Sequence, residues 1–490
     1  MLSDFSEYFR LAYLEPLPKR LAVISFFLLC YFVIMHFSSI QQLGKLISRV
    51  KTLRVLTAIV IFAFFLRLTW CLISPTRFAT QYGDLTSPID ESSLINIHSQ
   101  QIAKGGVPLN EDGTLATRRP VGYLYLLGGL YYLFGYQKDL FKVVQILLGC
   151  LLVLVSFFLA KSIFQNNSVA LISAFLMAIY PENLFSVNIP LDEYPFFVCW
   201  FAALYLIAEN IRKKAVSHTI LIAALIGVAT AFRTHTFFMP LILFIVYLFN
   251  RLPFRKATIQ MMVSFVVIYL VSAPWGWTTF KHYGSPSFFS TAGIYFYGTL
   301  NDHATWQNGF LPATIEDGGN LEFINETNPV KKAQIGTKLA MKWVIDNPTK
   351  ALQWFGMRNA MLYGFDLSDE ISDLNMAHAS DSSSFSVQRH HKIRKLKNWA
   401  YSFAAFCGFF GSLILIFDRR HLFWKKYTPF LLLIFIFIYW CTIHGFFFGF
   451  RKYRWVIDLF LLFPASFFLW WLAQLPLWIK PASTTMRHAS

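Results

Sequence analysis

The chain has 490 residues, of which 56% are hydrophobic and only 14% charged, and its formal net charge is +17. Soluble domains carry about a quarter charged residues, and disordered chains combine low hydrophobicity with high charge. The composition therefore excludes both classes and indicates an integral multi-pass membrane protein. In such a protein Lys and Arg accumulate in cytoplasmic loops, so the basic charge does not indicate a nucleic-acid partner. The six cysteines lie in or beside apolar stretches without a CxxC pair, which argues against a zinc site or a disulfide framework.

An all-α, polytopic membrane helix bundle is predicted from the apolar segments, because about 20 apolar residues suffice to cross a bilayer as a helix. Eleven spans are predicted, at residues 21–40, 55–74, 141–161, 167–187, 195–209, 219–233, 236–250, 258–275, 399–417, 428–446 and 455–477. The shorter run 121–135 is rich in Tyr and Gly, and counting it as a span would invert every later loop. We therefore expect it to be a helix that lies on the outer membrane interface.

Four basic loops, at 45–54, 212–214, 251–256 and 419–426, become cytoplasmic together when the N-terminus is outside and the C-terminus inside. Two large segments, 75–140 and 276–398, then lie outside. The predicted organisation has four parts: an additional N-terminal membrane helix and basic cytoplasmic loop (1–54), a catalytic membrane core that includes the first outer loop (55–275), a long outer loop (276–398) and C-terminal membrane helices (399–490).

The first outer segment contains three carboxylates, Asp84, Asp90 and Glu91. The run after Pro88 is predicted to start a helix, whose dipole would keep the carboxylates in its first turn ionised. An ionised carboxylate at the water interface can act as a general base toward a substrate hydroxyl. The alternative is that these acids only cap a helix and keep a loop soluble.

A second acidic group, Glu182, Asp192 and Glu193, lies between two apolar spans. We expect Asp192 and Glu193 to face Asp90 across a cavity. Gathered carboxylates can hold a divalent cation, so these two residues are candidate metal ligands, and no other cofactor is predicted. Loop polarity together with capping of the next helix by Asp192 is the alternative.

Basic residues recur on the predicted outer side: Arg118 and Arg119 before Pro120, Arg233 near His235, and Arg451 and Arg454 on either side of Lys452 and Tyr453. Arg pairs bidentately with phosphate oxygens, so these positions are candidate phosphate ligands. For 451–454 the alternative is a basic flank of the last span.

Two further features lie apart from these groups. Arg67 lies inside an apolar span, where an ionisable residue is expected to be paired or functional, or else to snorkel to the interface. Trp343, Trp354 and Phe355 are predicted to anchor an amphipathic helix at the outer interface.

Four motifs in this order resemble the GT-C membrane glycosyltransferases, most closely the branch of protein O-mannosyltransferases and the lipid A aminoarabinose transferase. They are Asp90-Glu91 followed by a short helix ending in AKGG, Arg119-Pro120 opening a helix that ends in Leu-Phe-Gly135, Tyr180-Pro181 followed by Asp192 and Glu193, and the segment from His444 to Arg454. The resemblance covers roughly residues 55–477.

The resemblance implies a sugar donor linked to polyprenyl phosphate, with Asp90 as catalytic base beside Glu91 and with Arg119 near the donor phosphate. It implies transfer with inversion to a hydroxyl of a glycan, lipid or protein on the outer face, in a bacterial plasma membrane. Two departures stand out. Leu94 and Ile95 replace a Tyr or Arg of many relatives, and Arg118-Arg119 replaces the Glu-Lys of the aminoarabinose branch, which argues against a charged aminosugar.

Three other functions fit part of the sequence. A transporter or flippase of lipid-linked sugars would explain the spans and Arg67, but it predicts two related halves, which the sequence does not show. A glycan ligase or polymerase would use the same fold with another donor. The third possibility is an assembly scaffold, which would catalyse no reaction.

Overall fold

The computed structural model describes residues 2–36, 52–73, 91–117, 120–137, 139–215, 217–288, 291–306, 319–365, 384–417, 429–447 and 451–479. Within these ranges every regular element is a helix, apart from one isolated β-bridge between Leu109 and Leu115. The predicted all-α class is therefore confirmed.

The N-terminal half combines long apolar helices with shorter ones. They are α1 (Leu2–Phe9), α2 (Pro16–His36), α3 (Thr52–Ile73), α4 (Glu91–Ala103), α5 (Gly122–Phe134), α6 (Leu140–Phe164), α7 (Asn167–Ile179), α8 (Pro181–Phe185) and α9 (Glu193–Lys213). The predicted interfacial helix 121–135 corresponds to α5. The helix expected after Pro88 corresponds to α4, and it ends before Gly105, whose φ of 81° suits glycine.

The C-terminal half continues with α10 (Thr219–Phe232), α11 (Met239–Phe249), α12 (Phe254–Tyr283), α13 (Ala292–Thr299), α14 (Leu321–Asn325), α15 (Pro329–Asp346), α16 (Pro348–Tyr363), α17 (Ser384–Phe417), α18 (Phe430–Phe446) and α19 (Trp455–Ile479). Short 3₁₀ turns connect some of these helices, among them Thr234–Thr236 and Arg451–Arg454.

Six described helices are long and apolar enough to cross a membrane, and seven if the bent pair α7 and α8 forms one span. They are α3, α6, α9, α12, the part of α17 from Lys392 and the part of α19 up to Leu475. The multi-pass membrane prediction is confirmed, but the count of eleven spans is not. The 14 residues of α10 extend only about 21 Å, whereas the hydrocarbon core is about 30 Å thick.

The centre of the bundle is aromatic and is built around α9. Trp200 stacks on Trp440 of α18 with ring centroids 5.7 Å apart, and Phe197 packs edge-on against Trp455 of α19 at 5.2 Å. Helices in lipid gain little hydrophobic energy from associating, so close packing of this kind has to hold them together.

Two sets of contacts join segments that are far apart in the sequence. Ser162 of α6 donates to Glu209 over 2.8 Å, and Glu209 also pairs with Arg212 and Lys213 in the last turn of α9. Phe5 and Tyr8 of α1 pack on Trp306, which belongs to the segment 276–398. Helix α1 and this part of the long loop thus lie together, and the side of the membrane on which they lie stays a prediction.

Trp343 and Trp354 were predicted to be interfacial anchors, and that prediction is wrong. The expected single helix is broken at Asn347, because Pro348 starts a new helix. The two tryptophans then meet, stacked at 4.9 Å, and both are buried. Phe355 is partly exposed and packs on Phe446 at 5.2 Å.

Candidate functional site

The two acids at the start of α9 are joined by the arginine that follows α10. Arg233 is in an extended conformation, and its Nη2 lies 3.2 Å from Oδ1 of Asp192. The same nitrogen donates to Oε1 of Glu193. The Asp192 side chain makes no cap hydrogen bond to α9, so the alternative of simple helix capping is wrong. This group is called the acidic cluster below.

The acidic cluster is buried and retains unused hydrogen-bonding capacity. The side chains of Arg233, Asp192 and Glu193 are 14%, 14% and 9% exposed. Oε2 of Glu193 and Nε of Arg233 make no hydrogen bond to any other described residue. Buried polar atoms normally have partners. The acidic cluster therefore offers one acceptor, Oε2 of Glu193, and one donor, Nε of Arg233, to a polar ligand.

His235 links the acidic cluster to the C-terminal motif. Its ring stacks on His444 with centroids 5.2 Å apart, and His444 stacks in turn on Tyr453 at 4.9 Å. The hydroxyl of Tyr439 donates to the His235 carbonyl oxygen. Two segments that the sequence separates by about 200 residues thus form one continuous site.

The N-terminal end of α5 lies against the residues that precede Arg233. A Cβ placed on Gly122 would be 2.6 Å from the carbonyl oxygen of Ala231, so the two backbones touch. The neighbouring Tyr123 hydroxyl accepts a hydrogen bond from Gln145 over 2.9 Å. Burial raises the pKa of Tyr123, and the charges of Asp192 and Glu193 raise it further. Sequence reasoning missed Tyr123, because nothing distinguishes it from the other tyrosines of α5.

Arg454, one of the predicted phosphate ligands, is engaged within the protein by other residues. It is 2% exposed, its Nε lies 3.1 Å from Asp458, and its Nη1 donates to the Gly364 carbonyl oxygen over 2.8 Å. Tyr180 donates to the other oxygen of Asp458 at 2.7 Å. The positive charge of Arg454 is therefore already neutralised by Asp458. An acid inside the last apolar span is itself a signal for such pairing, which sequence reasoning overlooked.

The remaining predicted residues fall largely outside the described ranges. Asp84, Asp90, Arg118 and Arg119 lie outside them altogether. Glu91 begins α4 and Arg451 begins a 3₁₀ turn, but only their backbones are described. That Asp90 faces the acidic cluster accordingly remains a prediction.

The acidic cluster does not fit a divalent cation well. Within the described ranges no three His, Cys, Asp or Glu side chains are grouped to hold a metal. The two candidate ligands, Asp192 and Glu193, both pair with Arg233. The arginine thus occupies the position where a cation would otherwise balance the two carboxylates.

One family model matches part of the chain. The sequence model of the dolichyl-phosphate-mannose-protein mannosyltransferase family matches residues 118–277. The matched region contains α5, both acids and Arg233. This match confirms the predicted resemblance to GT-C membrane glycosyltransferases.

Among solved structures, the chain is similar to the archaeal oligosaccharyltransferase AglB from Archaeoglobus fulgidus, determined with an inhibitory peptide and a dolichol-phosphate. The sequence identity is 14% and the TM-score 0.47, over 85% of this chain and 50% of that one. The chain thus spans about half the length of this protein. Comparison with curated protein sequences gave no match.

Proposed function

We propose that the protein is a glycosyltransferase that moves a sugar from a polyprenyl-phosphate donor to an acceptor hydroxyl on the extracytoplasmic face of the membrane. The observation that carries this proposal is the acidic cluster, with its unused donor and acceptor, inside the region matched by a family of lipid-phosphate-dependent sugar transferases. Sugars offer many hydroxyl groups that both donate and accept. A carboxylate oxygen beside a guanidinium N–H suits such a ligand.

The proposed reaction is a direct displacement with inversion. Asp90 takes the proton of the acceptor hydroxyl, and the oxygen attacks the anomeric carbon. The bond from that carbon to the phosphate oxygen breaks, and the lipid phosphate leaves with the bonding electrons. Arg118, Arg119 and Arg451 stabilise the growing phosphate charge, which fixed cations do most effectively in a water-poor site.

The acidic cluster binds the sugar or the acceptor in this proposal. Glu193 accepts from a hydroxyl through Oε2, and Arg233 donates through Nε. His235, His444 and Tyr453 hold the cluster against the C-terminal segment through their stacked rings. Arg454 supports the 451–454 turn through Asp458 rather than binding phosphate itself.

We assign the lipid part of the donor to a groove on α12. It has a volume of about 570 Å³ and is lined by apolar and aromatic side chains, among them Phe265, Tyr269 and Phe288. Phe237 packs on Phe265 at 5.7 Å and on Tyr269 at 5.8 Å. Since Phe237 is four residues from Arg233, a prenyl chain in this groove would lie close to the segment that carries the acidic cluster.

The test is mass spectrometry of lipid-linked sugars and envelope glycans in cells with and without the gene. We expect cells without it to accumulate the lipid-linked donor and to lack one sugar on a glycan, lipid or protein. Cells carrying Asp90→Asn should resemble the deletion and cells carrying Glu193→Gln should show a partial loss, whereas cells carrying the exposed Glu322→Gln should resemble wild type. A flippase would instead change which leaflet holds the donor and leave a purified protein without transfer activity, which would refute the proposal.

A further inference from the structure

Arg67 is a buried cation whose function the proposed reaction does not explain. It lies in α3, within a membrane span, and is 0% exposed. It makes no ion pair with a carboxylate anywhere in the described ranges. Burying an ion without a counter-ion costs several kcal/mol, so Arg67 needs other polar partners. Its complete burial shows that it does not snorkel to the interface.

The partners of Arg67 are backbone carbonyl oxygens. Its Nη1 donates to Ala63 of its own helix over 3.1 Å and to Ala178 over 3.2 Å. Ala178 lies in the last turn of α7, where the chain bends by 48° before Pro181 starts α8. The last carbonyls of a helix lack intrahelical partners and carry the negative end of its dipole. A guanidinium there satisfies a carbonyl that has no water to bind inside a membrane.

The bend stabilised by Arg67 is connected to the first turn of α9. Tyr194, the residue after Glu193, donates through its hydroxyl to the Asn183 carbonyl oxygen in α8. Trp455 donates to the Asn183 side chain at 2.7 Å. The orientation of α9 at Glu193 therefore depends on the position of α8.

Arg67 and Tyr194 also pack against the same glycine. A Cβ on Gly149 of α6 would lie 2.6 Å from Nε of Arg67 and 3.4 Å from Cε1 of Tyr194. The distance to Arg67 leaves no space for a methyl group unless the guanidinium moves, whereas the distance to Tyr194 is an ordinary van der Waals contact. Gly149 thus creates the space in which Arg67 reaches both the α7 carbonyl and the base of α9.

We propose that Arg67 is a positioning residue for the acidic cluster: by closing the bend between α7 and α8 and packing beside Tyr194, it orients Glu193 and Asp192 toward Arg233. The effect on transfer rests on the proposed function, but the effect on local structure does not. Arg67 touches no reacting atom in this proposal.

The experiment measures hydrogen–deuterium exchange and sugar transfer on the full-length protein in detergent. Arg67→Leu and Gly149→Ala should both raise exchange in residues 177–196, while peptides from α12 stay unchanged. Transfer from a synthetic polyprenyl-phosphate hexose should fall about tenfold, the equivalent of one charge-assisted hydrogen bond. Arg67→Lys keeps a cationic donor, so its hydrogen exchange and its sugar transfer should both be close to those of wild type. The matched control is Arg54→Leu, an exposed arginine on the same helix, which should behave as wild type.

Each outcome is decisive. If exchange rises equally in all helices, or does not rise in residues 177–196, Arg67 serves general stability and the inference fails. If Arg67→Leu does not fold, Gly149→Ala decides, because it displaces the guanidinium without deleting it. If exchange changes as expected but the wild type transfers no sugar, the positioning role stands and the proposed function fails.

Discussion

The ammonium group of Lys397 lies 3.0 Å from a carboxylate oxygen of Glu182, and the two side chains are only 6% and 14% exposed. This ion pair joins α17 to the short helix α8. Because α8 also carries Asn183, whose carbonyl oxygen accepts from Tyr194, this ion pair helps to fix the helix on which the base of the acidic cluster rests.

Lys397→Met should lower the stability of the folded protein by about 3–5 kcal/mol, because it leaves a buried carboxylate without its cation. The measurement is the unfolding free energy, or the melting temperature, of detergent-solubilised protein. Adding Glu182→Gln to Lys397→Met should recover most of the loss, since no unpaired charge remains. Lys395→Met on the exposed face of the same helix is the control. A double variant as unstable as the single one would contradict this account.

Asp192→Asn and Glu193→Gln should each reduce sugar transfer about tenfold to a hundredfold, as expected when one charge-assisted hydrogen bond is lost. Arg233→Met should be more damaging, because two carboxylates would then face each other without a cation. Initial rates with purified protein test both statements. Equal activity of Arg233→Met and wild type would show that the cluster has no part in transfer.

Gly122→Ala should impair transfer, because its new methyl group would meet the backbone at Ala231 and push α5 away from Arg233. Overpacking of this kind typically costs about 1–3 kcal/mol. Gly129→Ala is a matched control on the same helix, since nothing lies within 4 Å of its Cβ position. It should be neutral or slightly stabilising, as an alanine is in a helix interior. Similar losses in both variants would mean that contact with Ala231 is unimportant.

His444→Phe should retain most activity and His444→Leu should not, if the ring serves by stacking between His235 and Tyr453. The His444 ring also lies 4.9 Å from that of Trp440. An aromatic pair contributes about 0.5–1.5 kcal/mol beyond its buried area, so loss of the three ring contacts should be measurable in the melting temperature as well as the rate. A comparison of kcat and KM for the two variants tests this. If His444→Phe loses its transfer activity while its melting temperature stays that of wild type, His444 instead has a role in proton transfer or ligand binding.

Composition and charge determined the class of the protein and predicted the order of apolar spans and loops along the chain. The apolar content alone requires a membrane bundle, and the distribution of Lys and Arg predicts its orientation. The acids at 192 and 193, the arginine at 233 and the histidine at 235 were recognisable because polar groups are costly between apolar spans.

Only the tertiary structure decided which of these residues meet. Arg233 pairs with Asp192 and Glu193, which lie one helix earlier in the chain, whereas Arg454 is engaged by Asp458, four residues further along. The partner of Arg67 was equally hidden, because it is a backbone carbonyl exposed by a helix break. Pairing in a low-dielectric interior depends on distances of a few ångströms between helices far apart in the chain, and local patterns do not contain those distances.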